Sequence, residues 1–138
     1  MPVIICPPFR HVVSGFNYFD DTYWTASPGS WTGTQWYAGY PDGGITLTEL
    51  GTWNVGFRPS SVDMTVQFPS GYNGSNNIVN VYDTNNGLIG SITILIAEGT
   101  GVLVKNIPLT FTTFDISHIL MTGDPYPDYY IQDIVFNP

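Results

Sequence analysis

Two β-type runs separated by a proline-rich loop close the chain: Phe114-Asp-Ile-Ser-His-Ile-Leu-Met-Thr122, then Gly123-Asp-Pro-Tyr-Pro-Asp128, then Tyr129-Tyr-Ile-Gln-Asp-Ile-Val-Phe136. Both runs are rich in aliphatic and aromatic side chains, which suits a half-buried pleated strand. Pro, Gly and Asp between them cannot continue a ladder and favour a turn. The simplest expectation is an all-β domain whose last two strands pair with each other.

The same reading extends toward the N-terminus. Val62-Asp-Met-Thr-Val-Gln-Phe68 and Ile45-Thr-Leu-Thr-Glu-Leu50 alternate apolar and polar residues with a period of two. Ile78-Val-Asn-Val-Tyr82, Leu88-Ile-Gly-Ser-Ile-Thr-Ile-Leu-Ile96, Val102-Leu-Val104 and Leu109-Thr-Phe111 come next. The run from Leu88 is aliphatic enough to predict a central strand. Asp83-Thr-Asn-Asn-Gly87 holds an Asn-Gly pair, a hairpin signal because both residues tolerate positive φ. No window sustains helical spacing. Roughly eight to ten short strands in one chain predict a two-sheet antiparallel β-sandwich of the jelly-roll kind.

A length of 138 residues suits one domain. Residues 14–138 are expected to form it. Residues 1–13, which begin Met-Pro-Val-Ile-Ile-Cys-Pro-Pro, read as an apolar arm docked on a neighbouring subunit. This start lacks the basic region of a signal peptide. Synthesis in a cytoplasm is therefore expected. Cys6 is the single cysteine, so no disulfide within the chain is available.

The net charge is −8, with Arg10, Arg58 and Lys105 as the only basic side chains. Nucleic acid and anionic membrane surfaces both require a Lys/Arg footprint and are excluded as partners. Charged residues make up 10% of the chain, well under the usual quarter. Thr, Asn, Gly, Ser and Tyr supply the polarity instead, as in assembly proteins and in proteins that bind neutral polar ligands.

The ending Tyr129-Tyr-Ile-Gln-Asp-Ile-Val-Phe136 resembles the last strand of galactose-binding-like jelly rolls, the sandwiches of many carbohydrate-binding modules. The opening Phe16-Asn-Tyr-Phe-Asp-Asp-Thr-Tyr-Trp24, with Gly29-Ser-Trp31 behind it, is similar to their aromatic–acidic front strand. The resemblance implies a structural Ca²⁺ held by front-strand acids and an Asp of the last strand. Asp20, Asp21 and Asp133 would supply carboxylates, while Gln132 stands where the family has Asp. An amide oxygen can ligate Ca²⁺ but brings no charge. No other cofactor is expected.

All four tryptophans fall between Trp24 and Trp53, with Tyr37 and Tyr40 among them. Such rings fill a core, anchor a protein interface, or stack on the flat face of a sugar. Trp24, Trp31, Trp36, Tyr37 and Tyr40 are the candidate ligand-contacting residues. Trp36-Tyr-Ala-Gly-Tyr40 is expected to be exposed, since it runs into the Pro41-Asp-Gly-Gly44 turn. His118 shares a strand face with Ile116 by strict alternation and reads as a core histidine. Neither His11 nor His118 sits in a nucleophile or zinc motif. Asp124 and Asp128 flank a stiff Pro-Tyr-Pro loop and read as turn formers rather than a glycosidase pair. No catalytic residue is assigned and no enzyme is expected.

The leading expectation is a structural protein on the surface of a phage-like virion: a decoration, cement or tail-associated component that self-associates or docks on capsid or tail proteins. The alternative is a carbohydrate-binding module that holds neutral glycans through exposed Trp and Tyr. A glycoside-acting enzyme comes third.

Overall fold

The computed structural model describes residues 16–17, 24–39, 44–49, 58–68, 76–95, 101–123 and 129–137. The N-terminal arm, Cys6, His11, Asp20, Asp21, Tyr40, Asp124 and Asp128 lie outside these residues.

The described residues form eleven strands and no helix: β1 (Phe16–Asn17), β2 (Trp24–Ser27), β3 (Ser30–Trp31), β4 (Trp36–Ala38), β5 (Ile45–Glu49), β6 (Ser61–Phe68), β7 (Asn77–Asp83), β8 (Leu88–Ile94), β9 (Gly101–Pro108), β10 (Ile116–Thr122) and β11 (Tyr129–Asn137). They form two sheets in which every pairing is antiparallel. One is six-stranded, in the order β3-β4-β11-β6-β9, with β1 also paired to β11. The other is five-stranded, in the order β2-β5-β10-β7-β8. The sequence-derived sandwich is therefore the fold, with β1, β2, β3 and β4 beyond the strands read from the pattern.

Alternation builds the core. Along β6 every second residue is buried, from Val62 through Met64 and Val66 to Phe68. Ile45 and Leu47 of β5, Val79 and Val81 of β7, and Ile131, Ile134 and Phe136 of β11 face the same interior. Trp24 packs on Phe136 with ring centroids 5.1 Å apart, and Phe68 meets Tyr129 edge-on at 5.6 Å. Each fully buried side chain of this size contributes about 1.5–3 kcal/mol.

Three expectations about strand placement are corrected. The last two strands do not pair: β10 lies in the five-stranded sheet between β5 and β7, and β11 lies in the six-stranded sheet. The connection through Gly123 thus crosses the sandwich rather than closing a hairpin. Tyr129, at the start of β11, donates its hydroxyl to the buried Asn77 Oδ1 of the opposite sheet. The run from Leu88 is an edge strand, not a central one. Among the described residues its one strand partner is β7, and Leu88, opposite Tyr82, is 58% exposed despite its apolar character. Leu109–Phe111 adds no strand; β9 ends at Pro108.

The Asn-Gly hairpin forms as read. Asn86 takes φ +61°, and the Asp83 carboxylate caps the turn by accepting from the amides of Asn85 (2.9 Å) and Gly87 (2.7 Å). This turn joins β7 to β8 and sets their register.

Candidate functional site

The outer face of the five-stranded sheet carries a compact group of aromatic and hydroxyl-bearing side chains. Its geometry depends on an irregularity in β10. The pairing of β10 with β7 runs Ile116 opposite Asp83 and then His118 opposite Tyr82, so Ser117 is an extra residue, a β-bulge. A bulge breaks the two-residue alternation and re-aims the side chains beyond it. Ile116, Ile119 and Met121 are buried, while His118, Leu120 and Thr122 lie on the outer side. This corrects the reading of His118 as a core residue.

Once on the outer face, the His118 ring stacks on Tyr82, with centroids 4.9 Å apart and planes 17° from parallel. Its Nδ1 lies 3.1 Å from the hydroxyl of Ser117, the bulge residue. Partial burial disfavours the imidazolium, and the His118 pKa falls below its ordinary 6.5. The ring is therefore neutral at pH 7.

Beside the stack, Ser91 of β8 donates to Asn80 Oδ1 at 2.6 Å, and Asn80 Nδ2 donates to the Tyr82 hydroxyl at 3.3 Å. These bonds hold the amide in one orientation, with the Tyr82 hydroxyl oxygen as the acceptor at the end of the chain. Register extends the group across the sheet. Thr25, Thr48, His118, Tyr82 and Leu88 stand in one cross-strand row, and Ser27, Thr46, Leu120, Asn80 and Ser91 in the next. Neither row contains a charged side chain. In a chain of net charge −8, that makes this face suited to a neutral ligand. At about 4.8 Å per strand the rows run close to 19 Å, long enough for an extended chain.

The residues singled out from the sequence are dispersed. Trp24 is fully buried, and its ring is spent on Phe136. Trp36 is 5% exposed, with its indole N–H donating to the Pro28 carbonyl at 3.0 Å. Neither ring has a face left for a ligand, which corrects both assignments: on β2 and β4 the alternation turns these positions inward. Trp31 is half-buried opposite Trp36 and packs against the core. Tyr37 alone of the described four remains on an outer surface. It lies on the six-stranded sheet, 5.0 Å from Tyr130.

Gln132 is the extra residue of a second bulge, in β11 between Ile131 and Asp133. Its Nε2 donates to Gln67 Oε1 at 3.1 Å. The two positions supply one amide and one carboxylate, short of the roughly six to eight oxygens of a Ca²⁺ site. Among the described residues no group of three His, Cys, Asp or Glu side chains could hold a metal ion.

Sequence reasoning passed over Tyr82, Asn80 and Ser91 and assigned His118 to the core. Tyr82 and Asn80 were available as the polar phase of β7. The bulge at Ser117 has no sequence signature, so the position of His118 beside them was not.

No protein-family model matches this chain, and no curated protein does. Solved structures do. One is a glycoside hydrolase family 43 arabinoxylan arabinofuranohydrolase from Bacillus subtilis, solved with cellotetraose: TM-score 0.54, 12% identity, covering 91% of this chain and 27% of that one. A family 6 carbohydrate-binding module aligns at TM-score 0.46 and 12% identity, over 91% and 93% of the two chains. The family 11 carbohydrate-binding module of the Clostridium thermocellum cellulosomal cellulase Lic26A-Cel5E aligns at 0.41 and 12%, over 91% and 96%. The likeness is one of fold, in keeping with the jelly-roll resemblance at the chain ends. This chain spans about a quarter of the arabinofuranohydrolase.

Proposed function

We propose that this chain is a non-catalytic glycan-binding module that holds a neutral polysaccharide on the outer face of its five-stranded sheet. The observation that carries the reading is the Tyr82–His118 stack with the Ser91–Asn80–Tyr82 hydrogen-bond chain beside it. Aromatic rings offer an apolar surface to the C–H face of a sugar. Amide and hydroxyl groups fixed in one orientation recognise its hydroxyls without charge. Acidic polysaccharides are disfavoured, because neither described row carries a cationic side chain and the chain is negative overall. The arabinofuranohydrolase of similar fold was solved with cellotetraose, a neutral oligosaccharide, and supports asking for a glycan ligand here.

A protein interface is the second reading, favoured by the exposed Leu88 (58%) and Ile78 (42%) at the margin of the group. Affinity electrophoresis separates the two. Gels containing arabinoxylan or hydroxyethylcellulose should retard the wild type, gels containing polygalacturonate should not, and Tyr82→Ala should lose most of the retardation without a change in melting temperature. Retardation by polygalacturonate alone, or by the variant as strongly as by the wild type, contradicts the proposal. Oligomers that Leu88→Ser dissociates would support the protein interface instead.

A further inference from the structure

The six-stranded sheet presents a second group of the same chemistry on its own outer face, on the opposite side of the sandwich. Tyr37 of β4 stands directly opposite Tyr130 of β11, with ring centroids 5.0 Å apart and planes inclined at 44°. Tyr130 is in turn opposite Gln67 of β6. The row therefore runs Tyr37, Tyr130, Gln67 and on to the exposed Val102 of β9 at right angles to the strands, and the first three side chains are half-buried.

The β11 bulge completes the group. Because Gln132 is an extra residue, both it and Asp133 stay on the outer side between the buried Ile131 and Ile134. Gln132 then reaches Gln67 at 3.1 Å. That bond uses one N–H of Gln132 and one lone pair of Gln67. The remaining N–H of Gln132 and the amide group of Gln67 are still open to hydrogen bonds. A pair of tyrosine rings beside two fixed amides and a carboxylate offers stacking surface, donors and acceptors at one place. The Asp133 carboxylate repels anions.

We propose that this group is a second binding site for neutral glycans, so that one chain engages two polysaccharide strands, one on each face. The inference rests on the reading of the first face, since the ligand class is taken from the shared composition. It differs in location and in residues. Two sites on opposite faces cannot both grip one short oligosaccharide, so their joint signature is cross-linking of long chains.

The test compares four proteins: wild type, Tyr82→Ala with His118→Ala, Tyr37→Ala with Tyr130→Ala, and all four changes together. Each is run on gels containing arabinoxylan or hydroxyethylcellulose, and its effect on the viscosity of the same polymers is measured. The expected result is about a tenfold loss of affinity from either pair, abolition by the combination, and a viscosity rise from the wild type alone. Unchanged retardation and viscosity for Tyr37→Ala with Tyr130→Ala overturns the second site. If that variant instead abolishes binding while the first pair has no effect, the second face is the only site and the first reading fails. Binding of no polymer by the wild type removes both. A wild-type dimer that Tyr37→Ala with Tyr130→Ala converts to monomer identifies the face as a contact between copies and overturns the proposal. Should the tyrosine variants unfold, Gln67→Ala with Gln132→Ala probes the same site, with the same expected and contrary results.

Discussion

Deleting a single residue from a β-strand normally turns every later side chain to the other face. Deleting Ser117 should not. Ile116 is opposite Asp83, and His118 is opposite Tyr82, so the partners of its two neighbours are already adjacent in β7. Without Ser117 the ladder becomes regular, with Ile116 inward, His118 outward and Ile119 inward as before. The loss is confined to the Ser117 hydroxyl beside the His118 ring, about 1 kcal/mol or less. Deleting Thr65 from β6 is the control. There the pairing with β9 is unbroken from Ser61 to Phe68, so a deletion must expose either Val62 and Met64 or Val66 and Phe68. Losing burial of two such side chains costs about 3–6 kcal/mol. Drawing Asp63 or Gln67 inside adds about 1–3 kcal/mol. That sum is comparable to the whole stability of a small domain, about 5–15 kcal/mol. Urea denaturation tracked by tryptophan fluorescence measures both. The reasoning is refuted if the Ser117 deletion lowers the midpoint as far as the Thr65 deletion does, or if the Thr65 deletion folds like the wild type.

Three other outcomes are expected. The lowered His118 pKa means that the unfolded chain takes up its proton first as pH falls. Stability should be flat above the ordinary value of 6.5 and decline below it, and His118→Gln should remove that component of a melting-temperature series from pH 8 to pH 5. Gly123→Ala should destabilise the fold by about 1–3 kcal/mol: the backbone there has φ +152°, and a Cβ would sit 2.5 Å from Asn77 Oδ1, as urea titration would show. Trp24→Ala should cost about 3–5 kcal/mol, read by the same titration, because the ring is fully buried against Phe136.

Period-two alternation made the sandwich readable, because a residue's face is set by its neighbours two positions away. β6 shows this: its apolar phase, Val62, Met64, Val66 and Phe68, is the core residue for residue. Which strand pairs with which was not readable. Nothing in the loop from Gly123 to Asp128 distinguishes a hairpin from a crossing between sheets, and the choice is made by the partners β5, β7, β4 and β6. Aliphatic content misplaced β8, since an edge strand with one buried face can be as β-branched as a central one. The aromatic cluster was visible as composition, but burial divides it. Trp24 and Trp36 fall on inward phases, while Tyr37 falls on an outward one. The proposed site residues depend on two bulges, at Ser117 and Gln132, and a bulge reads in sequence only as a failed alternation.

Backbone amide chemical-shift mapping with soluble arabinoxylan and cello-oligosaccharides tests the central claim most directly. The account predicts that the largest perturbations fall on Asn80, Tyr82, Ser91 and His118, and that Tyr82→Ala removes them. Perturbations confined to residues outside both sheet faces, or none at millimolar sugar, would contradict it.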